Sequence, residues 1–180
     1  MVRCFIGILI PEELKKPIRN IQDRFKNLPM SCKLVESTNL HVSLSFLGEI
    51  EENKIEEVKR NLDLICNEFR KFKVTISGLK TIPSKSHIRV LALEVSDKEK
   101  NLEEISKKIK EKIEGDVKPP HLTLARVKNI SNKQKVLEEL EKMEKVELGD
   151  FLISSIQLIK SELRQTGPVY LTLHESRLRD

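Results

Sequence analysis

The stretch Asn39-Leu40-His41-Val42-Ser43-Leu44-Ser45-Phe46-Leu47-Gly48 has a counterpart later in the chain, Pro120-His121-Leu122-Thr123-Leu124-Ala125-Arg126. Each alternates polar and apolar residues with the period of a half-buried strand. At an offset of 80, His41-Val42-Ser43-Leu44 falls on His121-Leu122-Thr123-Leu124. The same offset lays residues 72–77 on 152–157 and residues 90–95 on 170–175, and an offset of 86 lays Arg3-Cys4-Phe5-Ile6 on Arg89-Val90-Leu91-Ala92. A unit of strand, helix, His-containing strand, helix and strand therefore occurs twice, roughly over 2–86 and 88–166, and a closing strand covers 168–175. Two copies are too few, and each too long, for a solenoid. The pattern predicts one α+β domain over 1–180, two-lobed, with approximate two-fold symmetry. Equivalent strands would face each other across the axis and bring His41 and His121 into one groove.

The remaining elements follow from spacing. Residues 2–10 read as a buried strand and 40–47 as a half-buried one ended by Gly48. Helical spacing marks 12–27 (Leu14, Ile18, Ile21, Phe25) and 52–69 (Ile55, Val58, Leu62, Ile65). Strands are expected over 72–82 and 87–95 around a Pro83-Ser84-Lys85-Ser86 turn. A helix over 97–114 is stopped by Gly115; then come a strand over 121–127, a helix over 131–145, and strands over 150–160 and 169–175.

Composition narrows the class. Charged residues are 34% of 180, aromatics 4%, and Trp is absent, a Lys/Glu-rich balance that leans toward a thermophile. The net charge of +5 suits an anionic partner. Cys4, Cys32 and Cys66 form no CxxC pair and read as small buried hydrophobes in a reducing, cytoplasmic setting. No apolar run reaches the length of a membrane span, and the N-terminus has no signal-peptide anatomy, so the chain reads as complete. Without an exposed heptad or long apolar face, a monomer is the expectation.

Alternation puts His41, Ser43 and Ser45 on one strand face, opposite Val42, Leu44 and Phe46. His121 and Thr123 share a face in the same way. Each motif thus offers an imidazole and a hydroxyl two residues apart on a rigid strand. That set suits a phosphodiester: a neutral ring takes a proton from water and a protonated ring gives one to the leaving oxygen. The hydroxyls donate to the non-bridging oxygens, where charge accumulates. A metal site is not expected, because neither motif carries a carboxylate, thiolate or third His at ligand spacing. No cofactor is implied. His87 and His174 read as surface or packing residues.

The chain resembles the two-histidine phosphoesterases, and within them the RNA 2′,3′-cyclic phosphodiesterase family, also called 2′-5′ RNA ligases. The resemblance is carried by Arg3-Cys4-Phe5-Ile6-Gly7, by residues 39–49, by residues 120–126, and by Ser161-Glu162-Leu163 before Gly167-Pro168-Val169-Tyr170. These segments, the two H-x-[S/T]-x motifs among them, are spread over nearly the whole chain in the family's order. The resemblance implies a bilobal fold with two antiparallel sheets lining a basic cleft and helices outside. It implies His41 as proton donor and His121 as proton acceptor. It further implies RNA with 2′,3′-cyclic phosphate ends as substrate, an RNA 2′-phosphate as product, and 2′-5′ ligation of RNA ends such as tRNA halves in the other direction. Ser43 stands where the first motif usually has Thr. The family's Arg after the second motif maps to Arg126, expected with Ser43 and Thr123 to bind substrate. Strict alternation puts Arg126 opposite His121, so it reaches the cleft only if a bulge turns it or its side chain curls back. Arg3 is left outside the site.

Two other readings stand beside this one. A binding module could use the same groove without turnover, holding RNA ends or a small cyclic nucleotide. The same chemistry could act on a cyclic nucleotide or an ADP-ribose cyclic phosphate. Aromatics to stack on a base are few, Phe46 and Tyr170 among them.

Overall fold

The apolar periodicities form the elements they announce. The computed structural model describes residues 1–165 and 167–180; the expected last residue of the second repeat, 166, lies outside them. Strand β1 (Val2–Leu9) leads to α1 (Glu12–Phe25), β2 (Met30–Leu34) and β3 (His41–Ile50). Helix α2 (Ile55–Cys66) precedes the hairpin β4 (Phe72–Pro83) and β5 (Ile88–Ser96). Then come α3 (Asn101–Lys112), β6 (Asp116–Ile130), α4 (Lys133–Glu141), β7 (Glu147–Ile153), β8 (Ser155–Arg164) and β9 (Gly167–Arg177). Helix α1 buries Leu14, Ile18, Ile21 and Phe25, and α2 buries Val58, Leu62, Ile65 and Cys66. These faces join Val42, Leu44, Leu122 and Leu124 in a single hydrophobic core. Among the described residues, no helix is long and apolar enough to cross a membrane.

The strands form one antiparallel sheet in the order β7-β4-β5-β6-β3-β1-β8-β9, with β2 paired to β6. The two sheets expected from the resemblance are thus hydrogen-bonded into one, because β3 and β6 pair directly through Val42↔Leu122 and Ser43↔His121. Outward from that seam stand β1 and β5, then β8 and β4, then β9 and β7. The sheet is strongly curled. Strands β7 and β8 are linked by Ser154 alone yet lie six strand positions apart. In a flat sheet that would be about 29 Å.

Several boundaries differ from the spacing. The run read as one strand over 150–160 is two strands, because the chain changes partner at Ser154, from β4 to β1. An apolar run carries no mark of which strand it pairs with. Strand β2 has no clean alternation and was not expected; its side chains are half-buried or exposed. Cys32 sits there half-buried, unlike the buried Cys4 and Cys66, and all three thiols are free. Gly48 does not end β3. It takes φ +70 inside the strand, opposite Cys4, where Leu47 is an extra residue.

Bulges also decide which side chains face the cleft. On β3, Ser43 pairs with Gly7 and Ser45 with Ile6, so Leu44 is one residue too many for β1. On β6, Thr123 pairs with Ala92 and Ala125 with Leu91, so Leu124 is one too many for β5. In both strands two successive residues turn inward: Leu44 and Ser45 are each 1% exposed, Leu124 and Ala125 each 0%. The alternation is reset just past each hydroxyl. Contrary to strict alternation, Ser45 leaves the His41 face and Phe46 joins the cleft wall, as does Arg126.

Close packing at Gly7 sets the approach of β1 to this bulge. A Cβ there would lie 2.8 Å from the Val42 carbonyl oxygen and 3.4 Å from the His41 ring. Gly7→Ala should therefore destabilise the protein by roughly 1–3 kcal/mol through overpacking, read as a lowered urea midpoint. A variant as stable as the wild type would show that the β1–β3 contact yields.

Candidate active site

Both histidines are aimed by the backbone two residues before them. His41 Nδ1 donates to the Asn39 carbonyl at 2.8 Å, and His121 Nδ1 donates to the Pro119 carbonyl at 2.8 Å. A carbonyl only accepts, so each bond places the ring proton on Nδ1 and leaves Nε2 for other chemistry. The Ser43 hydroxyl donates to His41 Nε2 at 3.1 Å. The register sets Ser43 directly opposite His121, which makes His41 and His121 diagonal neighbours across the seam. Diagonal neighbours lie about 7–8 Å apart, a span on the scale of a phosphoryl group held between two rings.

The cleft has a volume of about 440 Å³. His41, Ser43, Thr123 and Arg126 line it; His121 stands beside it, half-buried, rather than in its wall. Sequence reasoning left Arg3 outside, yet Arg3 lines the cleft, and so does Lys33 of the unforeseen β2. With Arg126 they set three cations against one carboxylate, Glu36. Among the described residues neither the Arg3 nor the Arg126 side chain has a hydrogen bond or ion pair, so both guanidinium groups remain available to an anion. The other two histidines lie elsewhere. His87 accepts from Arg89 Nε at 2.7 Å, and His174 bonds Asp63 at 2.8 Å. Among the described residues, no group of three or more His, Cys, Asp or Glu side chains could hold a metal ion.

Two aromatic rings pack against His41. Phe5 lies 4.6 Å away, and Tyr170 stands edge-on at 5.3 Å; Phe5 also touches Phe46 and Tyr170. Tyr170 belongs to β9, three strands from β3, so this contact depends on the curl of the sheet. No spacing in the sequence could announce it. Nor did any signal single out Asn39, whose carbonyl orients His41 and whose side-chain amide donates to the Pro168 carbonyl at 2.8 Å.

Burial acts strongly on the His41 imidazole. It holds His41 well below the usual imidazole value, at about 4, with the Asn39 carbonyl acting in the opposite direction and the positive charge of His121 and Arg126 adding to the depression. Burial likewise raises the Tyr170 phenol, against the pull of Arg126 and Arg3. A folded-state value below 6.5 means that the unfolded chain takes up the His41 proton first as pH falls. The stabilising contribution is therefore complete above pH 6.5 and is lost progressively toward pH 4. The span corresponds to about 3 kcal/mol. His41→Asn should flatten the fall in unfolding free energy across that window, measured by urea titration at a series of pH values. An unchanged slope would show that His41 is not buried neutral.

With this geometry in view, comparison with known proteins is specific. The family model described as LigT-like phosphoesterase matches residues 8–92 and again 93–170. The RNA 2′,3′-cyclic phosphodiesterase of Methanocaldococcus jannaschii is 39% identical over 180 residues, covering 97% of this chain and 99% of that protein. Among solved structures, TT0787 of Thermus thermophilus superposes with a TM-score of 0.83 at 21% identity, covering 98% of each chain. Escherichia coli LigT complexed with 3′-AMP superposes at 0.72 with 19% identity, covering 99% of each chain. Sequence and architecture agree from end to end: the chain belongs to the LigT-like phosphoesterase family.

Proposed function

We propose that this protein hydrolyses 2′,3′-cyclic phosphodiester ends of RNA to 2′-phosphomonoesters, with His41 as proton donor and His121 as proton acceptor. The observation that carries the reading is the seam itself: two imidazoles on paired strands, each with Nδ1 committed to a carbonyl. The 39% identical relative, an RNA 2′,3′-cyclic phosphodiesterase, supports the substrate, and so does the structural neighbour complexed with 3′-AMP. Water attacks phosphorus while His121 Nε2 takes its proton. The bond from phosphorus to the 3′-oxygen breaks, and His41 Nε2–H protonates that oxygen. Ser43, Thr123 and Arg126 hold the non-bridging oxygens as charge builds. No metal takes part. A 5′-hydroxyl in place of water would give 2′-5′ ligation of RNA ends, tRNA halves among them. The protein acts as a cytoplasmic monomer, one domain of two repeats, a division supported by the matching order of strands on either side of the seam.

Held at about 4, His41 carries no proton on Nε2 in the free protein at neutral pH, so a donor role requires the substrate to help load it. A phosphodiester anion in the cleft favours the imidazolium and should raise the His41 midpoint from about 4. NMR titration of the ring with and without a bound 3′-nucleotide measures this. A midpoint that stays put would remove the donor assignment and leave His41 as acceptor through its unprotonated Nε2.

Product analysis on RNA ending in a 2′,3′-cyclic phosphate tests the activity directly. Turnover should survive EDTA, and His41→Ala and His121→Ala should each lower it by about 10²–10⁴-fold. Binding should persist in both variants, because groove charge supplies most affinity for RNA. Wild-type protein that binds such RNA without converting it would make this a binding module instead.

A further inference from the structure

The two motifs differ at one informative position. Two residues before His121 stands Pro119; two residues before His41 stands Asn39. Both carbonyls accept from their histidine at the same 2.8 Å, so a carbonyl alone suffices to orient the ring. The Asn39 side chain therefore has another task. It is 7% exposed, and its amide donates to the Pro168 carbonyl at the start of β9. Tyr170 lies two residues further along that strand, on the same cleft-lining face as Pro168, with its ring edge-on to His41.

We propose that Asn39 is a positioning residue for the reaction: its carbonyl aims His41 while its side-chain amide fastens the β8–β9 hairpin over the same ring. One residue thereby couples the cover of the cleft to the proton-carrying group beneath it. Without the amide the hairpin loses its tie beside His41, Tyr170 withdraws, and water reaches the ring. The depression of the His41 midpoint, caused chiefly by burial, is then relieved. The other charged or titratable groups facing His41 are His121 and Arg126 from β6 and Tyr170 from β9; β1 presents the uncharged Phe5. None of these carries the tie to Pro168.

The inference builds on His41 as the proton carrier, but its test does not depend on turnover. The His41 ring is titrated by NMR in wild type, Asn39→Ala, Tyr170→Leu and the double variant, with kcat and KM measured on cyclic-phosphate RNA. In Asn39→Ala the midpoint should rise from about 4 toward 6.5. Its kcat should fall roughly 10–100-fold, the scale of a misplaced reacting group, with KM changed less. Tyr170→Leu should move the midpoint in the same direction. The double variant should go no further than the larger single change, because both act through one cover. A wild-type midpoint in Asn39→Ala overturns the proposal whatever happens to kcat, and so do two shifts that simply add. Should Asn39→Ala not fold, an unshifted midpoint in Tyr170→Leu overturns it alone. Loss of turnover in the wild type itself would count against the enzymatic reading and leave the midpoints to judge this one.

Discussion

The pairing of β3 with β6 is the constraint on which the rest depends. Val42 lies against Leu122 and Ser43 against His121, so the two halves of the sheet share hydrogen bonds at the middle of the molecule. One face of the seam is apolar and packs on the helices, with Val42, Leu44, Leu122 and Leu124 each 0–1% exposed. A slip of one residue would send these into the cleft and the histidines into the core. Core burial therefore holds the register, and the register sets the spacing of the two imidazoles.

The bulges at Leu44 and Leu124 add a second level of control. They stand 80 residues apart, the same offset as the histidines, and each comes one residue after its hydroxyl. A regular strand could offer His, hydroxyl and every second residue beyond. The extra residue lets the strand turn two successive side chains into the core and then present the third residue after the hydroxyl to the cleft. On β6 that is Arg126 and on β3 it is Phe46, so equivalent places give a cation on one side and a ring on the other.

The curl of the sheet gives its two histidines different surroundings. The β8–β9 hairpin folds over His41 and brings Tyr170 against it, beside Phe5. His121 has no aromatic contact among the described residues and stays half-buried. The cover desolvates the His41 ring and so disfavours its charged form.

How much of this was legible depends on the range over which each feature is encoded. Helices and most strands rest on periods of 3.6 and 2, and the recurrence of His-x-[Ser/Thr] at an offset of 80 named the four central side chains. Those are local patterns or direct repeats, and the sequence by itself determined them. The facing of Arg126 and Phe46, the place of Arg3 and Lys33 in the cleft, the split at Ser154, and the cover of Tyr170 over His41 were decided only by the tertiary structure. Each depends on which strand lies alongside which, and on a bulge or curl that forms only once the partner strand has limited the room. Alternation along one strand carries no record of its neighbour. For that reason the chain announced which residues could carry the chemistry, while packing decided which way they point and how deeply His41 is buried.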